Sequence, residues 1–158
     1  MIQLLRIDSG NTDFRELVQL LDADLQIRDG AEHSFYAQFN KIDKIRHVVV
    51  AYERDDAIGC GAIKEYAEGV AEIKRMFVRA DRRGRGIAKS ILSELETWAN
   101  ELGFSECILE TGFKQPEAIA LYQKCGYETI PNYGQYSGVQ NSICMKKVIR
   151  KDSGKIVF

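Results

Sequence analysis

The chain has 158 residues, 45% of them hydrophobic and 28% charged, a composition that suits one globular domain and excludes a largely disordered segment. Its formal net charge of −1 at pH 7 argues against a protein built to coat nucleic acid. The sequence shows neither a signal-peptide pattern nor an apolar run near the roughly 20 residues of a membrane-spanning helix, so we expect a cytoplasmic protein.

The first half of the chain predicts a strand and a helix, followed by three strands. The first strand covers residues 2–7, and a helix begins near Thr12 with apolar residues at helical spacing. The polar stretch 26–32 predicts a loop, and 34–39 predicts a short second helix. Because short turns separate the next strands, these strands favour an antiparallel meander. They are predicted at 46–52, 57–65 and 70–78.

The second half predicts a long amphipathic helix and then shorter elements. Apolar residues recur every three or four positions over 87–102, and Gly103 ends this helix. The strand before the long helix, the helix itself and the strand after it, at 107–109, predict a right-handed crossover between two parallel neighbouring strands. We expect one domain over 1–150 and a C-terminal tail over 151–158. The later predicted elements are a strand at 107–109, a helix opened by Pro116 and ending at Lys124, and strands at 127–130 and 143–148.

The cysteines and histidines do not predict a metal site. No two cysteines form a C-x-x-C pair, and both histidines lie far from them in sequence. Because each cysteine lies in an apolar or strand-like stretch, we expect buried, reduced thiols and no bound metal. The residues concerned are Cys60, Cys107, Cys125 and Cys144, with His33 and His47.

A turn rich in glycine and arginine lies between the strand at 70–78 and the long helix. It reads Arg-Arg-Gly-Arg-Gly-Ile-Ala over residues 82–88. A helix start leaves backbone N–H groups unpaired and carries partial positive charge, so it can hold an anion. Glycines allow phosphate oxygens to approach the backbone closely. The turn therefore predicts a diphosphate site, and basic side chains add positive charge there: Arg82, Arg83, Arg85 and Lys89.

Other readings of this turn fit less well. The P-loop pattern G-x-x-x-x-G-K-S/T is absent, and Lys89 stands where G-x-G-x-x-G would need its third glycine. A dinucleotide fold would also need an early βαβ unit, whereas this turn follows a meander. A solvated basic helix start with structural glycines stays open as the alternative. An RNA-binding segment is disfavoured because the turn is fixed between a strand and a helix.

These features together resemble the GNAT superfamily of N-acetyltransferases. The family's coenzyme A motif, Gln/Arg-x-x-Gly-x-Gly/Ala, reads Arg-Gly-Arg-Gly-Ile-Ala at residues 83–88. The strand at 72–78 resembles the family's fourth strand. Residues 115–127 resemble its other common motif, N-x-x-A-x-x-L-Y-x-x-x-G-F/Y, with Gln115 where the family often has asparagine. The resemblance runs from about Ile2 to Val148.

The resemblance implies an α+β fold and a site for acetyl-CoA. The fold would be a mixed, mostly antiparallel sheet of about seven strands with about four helices, splayed between the fourth and fifth strands. The strand backbone would pair with the pantetheine arm, and the turn would hold the diphosphate. The residues implied to bind the cosubstrate are Met76, Phe77, Val78, Arg83, Gly84, Arg85, Gly86, Ile87, Ala88, Lys89, Gln115 and Tyr122.

The resemblance also implies direct transfer of acetyl to an amine. Tyr122 matches the family's tyrosine and would donate a proton to the departing thiolate, although a packing role on an amphipathic helix is the alternative. Glu72 is the candidate base, with a salt bridge as its alternative role, and Glu110 is the runner-up. The amide of Met76 would bind the oxyanion of the tetrahedral intermediate.

The acceptor is the least defined part of the prediction. We expect a primary amine of a small molecule or peptide, and no nucleic acid, membrane or metal partner. A homodimer stays open. The alternative function is a non-catalytic acyl-CoA-binding sensor. Two segments could form walls of an acceptor pocket, although packing is the alternative role for each residue: Tyr133, Gly134, Tyr136 and Gly138 in one, and His33, Phe35 and Tyr36 in the other.

Overall fold

The computed structural model describes residues 1–29 and 44–150, with residues 28 and 29 described by their backbone alone. Within these ranges, no helix is both long enough and apolar enough to cross a membrane. The part of the chain that is described contains two short 3-10 helices, at Ala80–Arg82 and Gly134–Tyr136. The longer elements are β1 Ile2–Ile7, α1 Thr12–Asp29, β2 His47–Glu53, β3 Asp56–Ala67, β4 Val70–Val78, α2 Ile87–Glu101, β5 Glu106–Gly112, α3 Pro116–Lys124, β6 Glu128–Ile130 and β7 Ser142–Val148.

The strands form a seven-stranded sheet in the order β1-β2-β3-β4-β5-β7-β6. The pairs β1–β2, β2–β3, β5–β7 and β6–β7 are antiparallel, and β4–β5 is parallel. The β4–β5 register holds only three residue pairs, from Val70–Glu106 to Glu72–Ile108, although both strands continue beyond them. This confirms the predicted α+β fold, including the splay between the fourth and fifth strands.

The chain divides into two compact units. The first contains Met1–Lys64 and Lys74–Leu95, and the second contains Glu65–Ile73 and Glu96–Phe158. Both β4 and α2 therefore contribute residues to each unit. The predicted diphosphate turn belongs to the first unit. Glu72 and Tyr122 belong to the second unit.

The core of the first unit forms between α1 and the inner strands. Asn11 caps α1, since its Oδ1 accepts a hydrogen bond from the Phe14 amide at 3.0 Å. The apolar face of α1 then packs on β2 and β3, and burying each such side chain contributes roughly 1.5–3 kcal/mol. The buried members of this core are Phe14, Leu17, Val18, Leu21, Ile45, Val48, Val50, Cys60, Ala62 and Phe77.

The second unit is built on the pairing of β5 with β7. Their register holds seven residue pairs, from Glu106–Val148 to Gly112–Ser142. The helix α3 follows β5, with Pro116 in its first turn and Tyr122 buried. Gly126 follows α3 at φ +97°, a left-handed conformation that suits a glycine just past a helix end.

The predicted elements agree with the structure apart from their boundaries. The predicted loop over 26–32 is wrong at 26–29, because α1 continues to Asp29. Polar residues such as Gln26 do not end a helix, and the first glycine in this stretch is Gly30. The predicted helix at 34–39 and the tail at 151–158 lie outside the described residues.

Candidate functional site

The turn before α2 exposes backbone amides at an open helix start. Gly84 and Gly86 adopt φ values of +81° and +79°, and a Cβ atom built at either glycine would meet no heavy atom within 4 Å. The amide of Ser90 makes the first helical bond, to the Gly86 carbonyl at 3.1 Å. Among the described residues, the amides from Gly84 to Lys89 donate to no protein acceptor. Such a cluster of N–H groups fits an anionic group such as a diphosphate.

Two arginines of this turn are held by one carboxylate on β2. Arg85 donates from Nη1 and Nη2 to Glu53 Oε1 and Oε2 at 3.1 and 2.6 Å. Arg82 donates from Nε to Glu53 Oε1 at 3.0 Å. The hydrogen bonds from Arg85 and then from Arg82 lower the pKa of Glu53 to about 2. Glu53, Arg82 and Arg85 are hereafter called the Glu53 clamp.

The clamp changes what the arginines contribute at the turn. The sequence predicts four basic side chains that add positive charge there, whereas the Glu53 carboxylate offsets part of the charge of Arg82 and Arg85. Glu53 is not predicted from the sequence, and an acidic residue at a strand end is a weak signal. Arg83 is also held, because its Nε donates to the Val78 carbonyl at 2.7 Å and its guanidinium lies 5.5 Å from the centre of the Phe77 ring.

The strand β4 contains a left-handed residue just before Met76. Arg75 adopts φ +61°, which is uncommon outside glycine and changes the direction of the side chains that follow. Its carbonyl accepts a hydrogen bond from the Cys60 thiol at 3.3 Å. Met76 is half-buried, and Phe77 and Val78 are buried. A conformation of this kind inside a strand is frequent next to functional sites.

In the second unit, Glu72 is buried and is bonded to a tyrosine. Glu72 is only 7% exposed, and its Oε2 accepts a hydrogen bond from the Tyr133 hydroxyl at 2.7 Å. Burial raises the pKa of the Tyr133 phenol, and the charge of Glu72 raises it further. Tyr133 therefore stays protonated and keeps donating to the carboxylate. The predicted pocket wall around Tyr133 thus lies beside the predicted base.

Tyr122 is a buried residue of α3. The residue is 6% exposed, and its ring packs edge-on against Tyr127 with centroids 5.8 Å apart. Burial raises the pKa of the Tyr122 phenol, and the nearby Cys125 and Glu110 raise it further. In the described part of the chain, the hydroxyl meets no hydrogen-bond partner. A protonated phenol is therefore available at this position.

The remaining predicted site residues lie next to the starts of α2 and α3. Gln115 precedes α3, where its carbonyl accepts hydrogen bonds from the Ala118 and Ile119 amides at 3.1 Å. Ile87 is buried at the start of α2, and Lys89 is exposed. The other predicted wall of the acceptor pocket, in the segment 33–36, lies outside the described residues.

Three of the four cysteines are buried as predicted, and Cys125 is the exception. Cys60, Cys107 and Cys144 are buried, Cys125 is half-buried, and all four are reduced. Across residues 1–29 and 44–150, no group of three or more histidine, cysteine, aspartate or glutamate side chains is arranged to hold a metal ion.

The profile of the acetyltransferase (GNAT) family matches residues 14–127, so the chain belongs to the GNAT family. It is 39% identical over 100 residues to an IAA acetyltransferase of Azospirillum brasilense, a match that covers 63% of this chain and 65% of that relative. The chain thus matches just under two thirds of that protein's length.

Solved structures have the same fold. A Klebsiella pneumoniae protein, provisionally described as an acyl-CoA N-acyltransferase, matches with a TM-score of 0.80 and 26% identity, covering 95% of this chain and 99% of that one. The PaiA N-acetyltransferase of Thermoplasma acidophilum, solved in complex with coenzyme A, matches with a TM-score of 0.70 and 18% identity, covering 94% and 99%. The second likeness concerns the fold alone.

Proposed function

We propose that this protein is an N-acetyltransferase that moves acetyl from acetyl-CoA directly to a primary amine of a small molecule or peptide. The observation that carries the proposal is the open turn at 84–89, whose amides face no protein acceptor among the described residues. Membership of the GNAT family supports acetyl-CoA as the donor. The coenzyme A complex of PaiA is consistent with a donor of this kind on the same fold.

The turn fits the diphosphate of this donor. The amides of residues 83–89 would bind the phosphate oxygens, and the left-handed glycines leave the space that these oxygens need. The exposed Lys89 would add positive charge. The β4 backbone from Met76 to Val78 would hydrogen-bond the pantetheine arm as an added strand does. Gln115 takes the place of the family's asparagine near the cosubstrate.

In the proposed reaction, the amine nitrogen attacks the thioester carbonyl carbon. A C–N bond forms, the oxyanion binds the Met76 amide, and the C–S bond then breaks. An alkylamine with a pKa of about 10.4 is mostly protonated at pH 7, so the attacking nitrogen must first lose a proton. Glu72 accepts that proton, directly or through water. The nitrogen loses a second proton, to water, once the C–N bond has formed, and the coenzyme A sulfur takes one proton. From a protonated amine, the products are therefore the acetylated amine, coenzyme A and one proton released to solvent.

Tyr122 would stabilise the departing sulfur. An ordinary tyrosine phenol, with a pKa of about 10, is already a weaker acid than a thiol, with a pKa of about 8.5, and burial raises the pKa of Tyr122 further. Complete proton transfer from Tyr122 to the thiolate is therefore uphill. Its contribution is therefore hydrogen-bond donation to the charge that develops on sulfur. The thiolate then takes its final proton from solvent or from the protonated base.

The proposal is tested by supplying acetyl-CoA with a panel of amines that includes amino acids, polyamines, aromatic amines and peptide N-termini. We expect coenzyme A release that depends on at least one amine, with the acetylated product seen by mass spectrometry. Tight acetyl-CoA binding without turnover on any amine would instead support the non-catalytic acyl-CoA-binding sensor.

A further inference from the structure

A hydrogen bond joins the candidate base to the loop that follows β6. The Tyr133 hydroxyl donates to Glu72 Oε2 at 2.7 Å, and both residues lie in the second unit. Glu72 is 7% exposed, so its carboxylate has little water around it. A hydrogen bond between a phenol and a buried carboxylate is stronger and more directional than one at the surface. Tyr133 therefore restricts the orientation of the Glu72 carboxylate.

The loop that carries Tyr133 is itself fixed by hydrogen bonds. Asn132 Nδ2 donates to the Val139 carbonyl at 2.8 Å, which closes the loop across its base. The Tyr136 amide donates to the Tyr133 carbonyl at 2.9 Å, and the Val139 amide donates to the Tyr136 carbonyl at 2.9 Å. Hydrogen bonds before and after the 3-10 helix thus fix the backbone position of Tyr133.

The ring of Tyr133 is fixed by two other tyrosines. It packs edge-on against Tyr66 at 5.0 Å and against Tyr136 at 5.8 Å between centroids. Tyr136 is only 2% exposed, so it supports the ring from the interior. Gly134 lets the loop approach Tyr66, since a Cβ at Gly134 would lie 3.0 Å from the Tyr66 hydroxyl oxygen. The ring contacts with Tyr66 and Tyr136 therefore hold the Tyr133 hydroxyl at Glu72.

We propose that Tyr133 is a positioning residue that holds the Glu72 carboxylate in the orientation needed to take a proton from the acceptor amine. The inference rests on the proposed function, in which Glu72 is the base. A carboxylate that rotates among several orientations accepts the proton less often, so loss of the hydroxyl lowers the rate of the chemical step.

The test is a double-mutant cycle with Tyr133→Phe and Glu72→Gln, using the best amine found by the panel. We expect Tyr133→Phe to lower kcat roughly tenfold, with less than a twofold change in the KM for acetyl-CoA. In the Glu72→Gln background, the same substitution should change kcat by less than about twofold, because the group it orients is gone. Tyr66→Phe is the matched control, since it keeps its ring contact with Tyr133, and it should leave kcat unchanged.

The possible failures are distinguishable. An unchanged kcat in Tyr133→Phe would overturn the inference, and so would an equal loss in both backgrounds, which would show a structural effect that does not pass through Glu72. A wild-type rate in Glu72→Gln alone would overturn the assignment of the base. Absence of turnover by the wild-type protein on every amine would overturn the proposed function itself. Urea unfolding of each variant checks that the fold is kept.

Discussion

Three tyrosines of the second unit show how the same side chain acquires different roles. Burial raises the pKa of the phenol in Tyr122, Tyr127 and Tyr133, so all three stay protonated. Their partners differ: the Tyr127 hydroxyl donates to Glu96 at 2.9 Å and the Tyr133 hydroxyl donates to Glu72. The Tyr122 hydroxyl has no protein partner among the described residues, which leaves it available to a ligand.

This contrast leads to a prediction for Tyr122. We expect Tyr122→Phe to lower kcat by roughly 100-fold, because the hydrogen bond to the departing sulfur is made only as the C–S bond breaks. The KM for acetyl-CoA should change little, since the phenyl ring still fills its packing site. Steady-state kinetics with the best amine measure both constants.

Tyr127→Phe is the matched control for that experiment. It removes a hydroxyl of the neighbouring ring, and the lost hydrogen bond to Glu96 should lower the free energy of unfolding by about 1 kcal/mol. It should leave kcat near the wild-type value. If Tyr122→Phe also kept the wild-type kcat, Tyr122 would be only a packing residue.

At the scale of elements, the Glu53 clamp joins the end of β2 to the turn before α2. Arg82 and Arg85 lie on either side of Gly84, and both bond to the same carboxylate. The clamp therefore restrains the turn in the shape that exposes its amides. It could not be predicted from the sequence, because residues 53 and 85 become neighbours only after β3, β4 and the turn have folded.

The clamp predicts a difference in acid stability. The pKa of Glu53 is lowered from 4.5 to about 2 in the folded protein, so the unfolded chain binds this proton at a higher pH than the folded chain does. The stabilisation by Glu53 is then complete above about pH 4.5 and is lost as the pH falls through about 2. Near neutral pH, we expect the free energy of unfolding to be lower for Glu53→Gln than for wild type. This difference should shrink to zero in acid.

Urea unfolding measured over a series of pH values tests this prediction. The effect at neutral pH should be modest and should shrink with added salt, because the three side chains are partly exposed. Asp55→Asn is a suitable control, since Asp55 is exposed in the same β2–β3 turn and makes no ion pair with the described residues. A Glu53→Gln difference that stays constant from neutral pH into acid would contradict the role of the clamp.

At the scale of the whole molecule, the sequence predicts elements well and tertiary contacts poorly. The strand at 70–78 is found with the predicted bounds, because its β-branched and apolar residues lie between clear turn signals. The motif resemblance predicts the family and the splayed sheet, which are confirmed. The position of β7 between β5 and β6 does not follow from the patterns, because either partner would bury the same apolar residues.

For the candidate site too, the sequence predicts local features and misses a long-range contact. The turn and Tyr122 are found by motif spacing, since local sequence determines both a helix start and a helix face. The hydrogen bond between Tyr133 and Glu72 joins residues 61 positions apart and depends on how the loop after β6 closes. Residue type alone carries no signal for such a contact. The roles of the motif residues stay predictions for the experiments above.

The central claim is that the turn before α2 binds the donor, and calorimetric titration of acetyl-CoA into wild type, Gly86→Ala and Gly103→Ala tests it most directly. Both glycines are left-handed with open space around them, so each alanine should cost a similar amount of stability, about 1–2 kcal/mol. Only Gly86→Ala places a methyl group where the phosphates would approach. We predict at least roughly tenfold weaker binding for Gly86→Ala and wild-type affinity for Gly103→Ala. Wild-type affinity in Gly86→Ala would contradict the assignment of this turn as the acetyl-CoA site.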